Sequence, residues 1–196
     1  MPEEIPMFGW LATHSRSACR FAAPTVQRRW LRVAPPLLAE CLPLLGDMLY
    51  VSGAETHASP DVPPGWLAAR RELSPLLQAH WLAVAGYVGD DGPREWLECL
   101  DRHGRLRARL HLLPDTDYLA WDALPAIGVP DVPPVRCGWL PFRPAWACAL
   151  RLRVRRLAGL DVLDATSAGA LSELGRDLAG RIARAEAVPL HSASAG

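Results

Sequence analysis

The chain has 196 residues with 21 cationic and 21 acidic side chains; every cation is arginine, and lysine and asparagine are absent. A chain of this length buries roughly 70% of the surface its unfolded form exposes, so its core needs no disulfide or metal to hold it. Zero formal charge removes the net field that steers proteins onto polyanions, so the arginines do not argue for a nucleic-acid partner. Glu3 and Glu4 stand where a signal peptide carries bases, and no run of about 18 apolar residues occurs, which predicts a cytoplasmic protein with no membrane span. The five cysteines Cys19, Cys41, Cys99, Cys137 and Cys148 include no Cys-x-x-Cys pair and are expected to be reduced and mostly packed in the core.

Residues 1–29 carry no clear pattern. Pro35 and Pro36 suit the first turn of a helix through Leu37, Leu38, Cys41, Leu42 and Leu45, closed by Gly46, since a first-turn amide has no intrahelical partner to lose. Residues 47–52 read as a strand. Residues 53–65, with three prolines and a Ser59-Pro60-Asp61 turn signal, read as an exposed loop. The spacing predicts a helix over 66–78. Residues 81–88 are strand-like and end in Gly89-Asp90-Asp91-Gly92-Pro93, a strong turn.

Segments 95–100 and 106–112 continue the strand pattern, and three strands with short connections join more readily as an antiparallel meander than as parallel strands. Period two then predicts a hairpin around Arg102–Gly104, with Leu106, Ala108 and Leu110 on one side and Arg107, Arg109 and His111 on the other. A helix opening at Asp115 or Thr116, either of which suits the N-cap, should lie across one face of the sheet. The Pro- and Val-rich segment 127–134 marks a boundary or a return strand. Segment 146–157 sets Leu150, Leu152 and Val154 against Arg151, Arg153 and Arg155, which suits a strand and could also prolong a helix. A last helix over about 167–187 shows the stripe Leu171, Leu174, Leu178 and Ile182, and Pro189 limits it. The tail HSASAG is expected to be mobile.

The order strand, turn, strand, helix is carried by Leu97, Cys99, Leu100, Asp101 and Gly104, then Ala108, Arg109, Leu110, His111 and Leu112, then Thr116, Asp117, Trp121, Ala123 and Leu124. This run resembles the repeated signature of the bacterial haem-utilisation family of the HmuS/HemS/ChuX kind: a Leu-x-Phe-Phe-Asp strand, an x-x-Gly turn, a Val-His-Lys-Val-Tyr-Leu strand and a Ser-Asp-Leu-x-Ala-Phe/Trp-x-Ala-Leu helix. Upstream, Leu45, Gly46 and Met48 fit the family's helix and Leu-Gly-x-Val-Met strand, but Ser52 and Gly53 replace a Thr-Arg pair and His57 lies about two positions from the family histidine. The resemblance covers residues 37–126, about half of the chain. His111 stands at a family tyrosine and Arg109 at a family lysine, and the Asp-x-His-x-Phe motif that supplies the iron ligand in two-part members is missing.

The resemblance implies an α+β fold with a central antiparallel sheet flanked by helices, similar to one split-barrel half of that family. Length and composition fit a single domain over 1–196, in which the best-matching region is 30–126 and a C-terminal helical and strand extension spans 135–190. It also implies cytoplasmic haem (hemin) binding in iron acquisition, as a carrier or as an accessory to haem breakdown. A protein partner in haem uptake and a homodimer are left open.

The candidate cofactor-binding residues are His111, Arg109, Arg107 and His57, with His111 and His57 as candidate metal ligands. Arg107, Arg109 and His111 alternate along one strand and could meet a planar anion together, because haem iron takes imidazole and its propionates take guanidinium forks. The plainer reading is a solvated strand face. His57 is a loop histidine, most simply solvated as well. His14, His80, His103 and His191 have less to recommend them. Trp81, Trp96 and Trp121 read as core residues, while Trp139 or Trp146 could line a ligand face.

No histidine pair stands at helical spacing, and Gly-x-Ser-x-Gly, phosphate-loop and His-Glu-x-x-His motifs are all lacking, so no side chain marks catalysis. The alternative from another class is a non-catalytic interaction module that keeps the fold and meets a protein partner through its arginine-bearing surface.

Overall fold

The computed structural model describes residues 25–54, 62–89, 92–134 and 142–191. Strands β1 (Gln27–Arg32), β2 (Asp47–Gly53), β3 (Trp66–Ala68), β4 (Trp81–Gly89), β5 (Gly92–Leu100), β6 (Leu106–His111), β7 (Val129–Pro130), β8 (Pro144–Leu157), β9 (Leu160–Ser167) and β10 (Leu190–His191) are joined by short helices. These are α1 (Pro35–Cys41), α2 (Ser74–Leu77), α3 (Tyr118–Ala123) and α4 (Glu173–Ala185). The strands form one sheet in the order β3-β9-β8-β2-β6-β5-β4-β1-β7, and β10 adds to β8. The sheet curls into a half-barrel, giving a mixed α+β architecture. Most neighbours are antiparallel, but β3 with β9 and β10 with β8 are parallel.

The expected meander is present: β4 pairs with β5 from Trp81↔Leu100 to Gly89↔Gly92, and β5 pairs with β6 from Trp96↔His111 to Leu100↔Leu106. Gly104 turns this second hairpin at φ +75, a left-handed value that glycine adopts without cost, and Pro134 crowds the place where a Cβ would stand. As period two requires, Leu110 and Ala108 join the main core while Arg109 and His111 lie on the opposite face. The main core lies beneath α1, α2 and α3, where Leu38, Leu42, Leu76, Leu77 and Trp121 meet Met48, Tyr50, Leu82, Leu97, Leu110 and Leu150. A smaller cluster on the other face sets Leu49, Val51 and Ala147 against Ala179 and Ala183 of α4.

The first helix is observed as α1 followed by a 3-10 turn over Leu42–Leu45, with Gly46 at φ +72 leading into β2. The segment 127–134 contains a return strand: β7 pairs with β1. Segment 146–157 lies within strand β8, not a helix. The helix expected over 66–78 is not formed. Trp66–Ala68 is edge strand β3 on β9, followed by a 3-10 turn and the single turn of α2. Pairing with β9, far off in sequence, overrides the local spacing.

The cap of α3 is Asp117, which accepts from the Ala120 amide at 3.0 Å, and not Asp115 or Thr116. Thr116 instead donates from Oγ1 to the Asp47 carbonyl at 2.7 Å, and Asp115 accepts from the amide and hydroxyl of Ser172, the N-cap of α4, at 2.8 and 3.0 Å. Segment 167–187 divides into the end of β9, a short connection and α4, which begins at Glu173. The leucine stripe of α4 also needs correction: its buried residues are Gly175, Ala179 and Ala183, with Leu171, Leu178 and Ile182 flanking them and Leu174 60% exposed. Small side chains let the helix lie close against the sheet. Of the tail, His191 belongs to β10, and residues 192–196 lie outside the described residues.

Candidate functional site

The pairing that builds the hairpin also builds a cluster of charged and aromatic side chains. A register shift between Cys99 and Leu100 sets Glu98 directly opposite Arg109 and Trp96 opposite His111, so these four share the face that α4 partly covers. Trp96, Glu98 and His111 are buried. Arg28, reaching across from β1, donates from Nε to Glu98 Oε2 at 2.9 Å and from Nη2 to Oε1 at 3.3 Å, and the Trp96 indole donates to Oε1 at 3.2 Å. Arg109 Nη2 stands 3.4 Å from Glu98 Oε1. Both carboxylate oxygens of Glu186, just past the last turn of α4, accept from Arg109 Nη1 at 2.7 and 2.8 Å. The guanidinium lies over the Phe142 ring, 4.7 Å from its centre.

The result is a chain of alternating charge: Arg28, Glu98, Arg109, Glu186. It is neutral in sum, as a buried ionic group must be to be tolerated. His111 ends the chain. Its Nε2 lies 3.8 Å from Glu186 Oε1, too far for a hydrogen bond, and has no other partner. Burial first, then the positive charges of Arg109 and Arg94, push its pKa down to about 3. The nearby Glu186 would favour the protonated ring, but its charge is already matched by Arg109. His111 is therefore a neutral imidazole under Glu186 and beside Trp96, whose ring centre is 6.1 Å away. Tyr87 meets the far edge of Trp96 at 6.0 Å.

Of the four residues singled out in the sequence, Arg109 and His111 are brought together with two carboxylates and two aromatic rings. Arg107 lies further along the same strand, half-buried beside Gly53, and is not joined to Glu98 or Glu186. His57 falls outside the described residues, as do His14 and Trp139. His80 is half-buried with Nδ1 2.9 Å from the Gln78 carbonyl, and His103 sits in the hairpin turn with Nε2 accepting from Arg102. Trp81, Trp96 and Trp121 are all buried, although Trp121 alone joins the main cluster. Trp146 stacks edge-on with Tyr50 and face-on with His191.

Sequence reasoning missed Glu98, Glu186, Phe142 and Arg28. Glu98 was reachable, since it alternates with Trp96 on a segment already read as the partner of 106–112. Glu186 has no local signal, being 77 residues from Arg109.

Two further polar clusters among the described residues are paired within the fold. An open depression is lined by Pro43, Leu44, Gly46, Asp115, Thr116, Asp117 and Arg151, but Asp115 holds Ser172, Thr116 holds the Asp47 carbonyl, Asp117 caps α3 and Arg151 pairs with Asp47 at 2.9 Å. On the β8–β9 hairpin Arg153 and Arg155 share Asp164 at 2.7 and 3.0 Å. Burial raises the Asp164 pKa, but the Arg153 hydrogen bond, the Ala165 amide and the two guanidinium charges outweigh it and hold the carboxyl below its usual range. Cys41, Cys99 and Cys148 are free, and burial raises the pKa of each, with Cys99 pushed up to about 12 with help from Glu98, so none is a thiolate near neutrality. Among the described residues no cluster of three or more His, Cys, Asp or Glu could hold a metal ion, and no helix is long and apolar enough to cross a membrane.

Compared with known proteins, the chain matches no protein-family model and no curated protein.

Proposed function

We propose that the chain binds haem on the face carrying Trp96, Arg109 and His111, with His111 as the iron ligand and Arg109 as a propionate contact. The observation that carries this reading is the state of His111: a buried imidazole kept neutral, whose Nε2 makes no hydrogen bond. Iron requires an unprotonated ring nitrogen, and leaving a buried one unmatched costs stability unless something else uses it. Arg109 supports the reading because it already holds a carboxylate, the group that haem's propionates would present. Trp96 and Phe142 offer apolar surface beside them. Bound haem would bring its own iron chemistry, while these side chains hold and orient it. The resemblance of residues 97–124 to the haem-utilisation signature points the same way and suggests a cytoplasmic carrier or an accessory to haem breakdown.

A second reading is favoured by one observation. The charge of Arg109 is balanced within the fold by Glu98 and Glu186, so the same cluster also serves as a clamp for α4. The chain would then be a non-catalytic interaction module that meets a protein partner through exposed arginines such as Arg151, Arg153 and Arg155.

Hemin titration of the purified protein separates the two. Haem binding predicts a one-to-one complex with a shifted, sharpened Soret band. His111→Ala should move the band, while Arg109→Ala should weaken affinity and leave the band in place, because a propionate contact does not touch the iron. Should the wild type take up hemin no better than an unrelated protein, with both variants behaving alike, the interaction module is the reading that stands.

A further inference from the structure

We infer that Arg109 and His111 form a carboxylate-binding cradle that Glu186 fills from within, and that an external planar carboxylate binds there by displacing Glu186 and the end of α4. The inference rests on the placement of the site proposed above, but not on iron. Its first support is the contact itself. Both Glu186 oxygens sit on one Arg109 nitrogen, and one of them is 3.8 Å from the unpartnered Nε2 of His111. His111 is 6% exposed and aimed at this carboxylate, yet Glu186 leaves its nitrogen unsatisfied. With the proton of the neutral ring on Nε2, a ligand carboxylate not tethered to a helix could accept from Arg109 and His111 together.

Glu186 is moreover held there against local preference. It is the C-cap of α4, where the helix dipole disfavours a negative charge. The turn that carries it is closed by Ala187 in the left-handed region, at φ +54, with the Val188 amide bonded to the Ala183 carbonyl. Glycine ordinarily takes that position, and a side chain there is strained. Beneath it α4 packs the small residues Ala179 and Ala183 against the sheet, with Leu178 and Ile182 partly buried beside them and Val188 buried just beyond Glu186. The carboxylate contact is the ionic part of what keeps this end of α4 closed, and a competing carboxylate removes it. The guanidinium against Phe142 and the indole of Trp96 favour a flat, aromatic carboxylate over a small aliphatic one.

The probe is benzoate, with acetate as the non-aromatic comparison. Calorimetric titration should show Glu186→Ala binding benzoate roughly tenfold or more tightly than the wild type, acetate more weakly, and Glu186→Ala combined with Arg109→Leu not at all. Glu186→Gln, which keeps the shape and removes the charge, should fall between wild type and Glu186→Ala. If the alanine variants do not fold, the wild type answers alone: saturating benzoate should speed hydrogen exchange of the amides at 184–191 without affecting β5 and β6. A folded Glu186→Ala that binds benzoate no better than wild type, or unchanged exchange at 184–191, overturns the inference. Failure of the haem reading looks different. Benzoate binding by Glu186→Ala with no Soret change on adding hemin would keep the cradle and discard the iron ligand, and a His111-dependent Soret band with no benzoate binding would do the reverse.

Discussion

The two faces of the sheet are held by different means. Under α1, α2 and α3 the contact is made by large apolar side chains, including Leu38, Leu42, Tyr50, Leu76, Leu77, Leu97 and Leu110, and it forms one continuous cluster. Under α4 the apolar cluster is smaller, with Leu49, Val51, Leu113, Ala147 and Val188 around Ala179 and Ala183 and with Leu178 and Ile182 at its edge, and a chain of four charges runs beside it from β1 to the end of the helix. Hydrophobic burial is non-directional and tolerates small shifts, whereas a buried charge chain is strong only while every member is present. The first face therefore defines the fold, and the second is where a change at one residue, or a competing ligand, can alter the structure locally. The binding site proposed above lies on the second.

The comparison is broken most severely at Glu98. It serves Arg28, Arg109 and the Trp96 indole at once and is 3% exposed. Glu98→Ala should cost about 3–5 kcal/mol, the range for removing one partner of a buried ionic group, since Arg28 loses both hydrogen bonds to it and the Trp96 indole loses its acceptor, although Arg109 keeps Glu186. Chemical denaturation of the two proteins measures it. A loss below about 1 kcal/mol would mean that water reaches the cluster and the charges are screened as on a surface.

A somewhat smaller effect should follow from pH. The folded pKa of His111, about 3, lies below the ordinary 6.5, so the unfolded chain takes up a proton first as the solution is acidified. Stability from this residue is thus fully present above pH 6.5 and declines as pH falls toward 3, with a slope approaching about 1.4 kcal/mol per pH unit. Asp164, with its lowered pKa, also loses its contribution on acidification, but within the carboxylate range. Between pH 6.5 and about 5 the decline should belong to His111, and His111→Phe should remove it from a series of melting curves. An identical slope in both proteins would mean that His111 is not buried as a neutral ring.

How much of this was legible in the sequence follows the same division. Period-two alternation identifies β5 and β6 and places Arg109 and His111 together opposite Leu110, because a half-buried strand shows its face in its own spacing, while β4 is legible from its Val, Trp and Tyr content and the strong turn that closes it. It could not show which residue of β5 faces Arg109. Counting back from the Leu100↔Leu106 pair would set Glu98 against Ala108, and only the irregularity at Cys99 moves it to Arg109. Local spacing suggests helix at the short strand β3, which forms only by pairing with β9 far along the chain. Glu186 was invisible for the same reason. The cap of α3 lies one or two residues beyond the expected Thr116 or Asp115 because Asp115, Thr116 and Asp117 all suit a cap, and tertiary contacts at Ser172 and Asp47 decide among them.

The smallest expected effect tests the reading of α4. A leucine stripe over Leu171, Leu174, Leu178 and Ile182 would make Leu174 a core residue, and truncating it would then cost about 2–5 kcal/mol. In the structure Leu174 is 60% exposed, while Gly175, Ala179 and Ala183 face inward. Leu174→Ala should therefore change stability by less than about 0.5 kcal/mol, the range for surface positions. Ala179→Leu should cost about 1–3 kcal/mol, because the added atoms have no room between helix and sheet. The two variants measured side by side distinguish the faces of the helix without disturbing the charges at its end. A large loss at Leu174 with tolerance at Ala179 would rotate α4 about its axis, carry Glu186 away from Arg109, and remove the contrast between the two sides of the sheet.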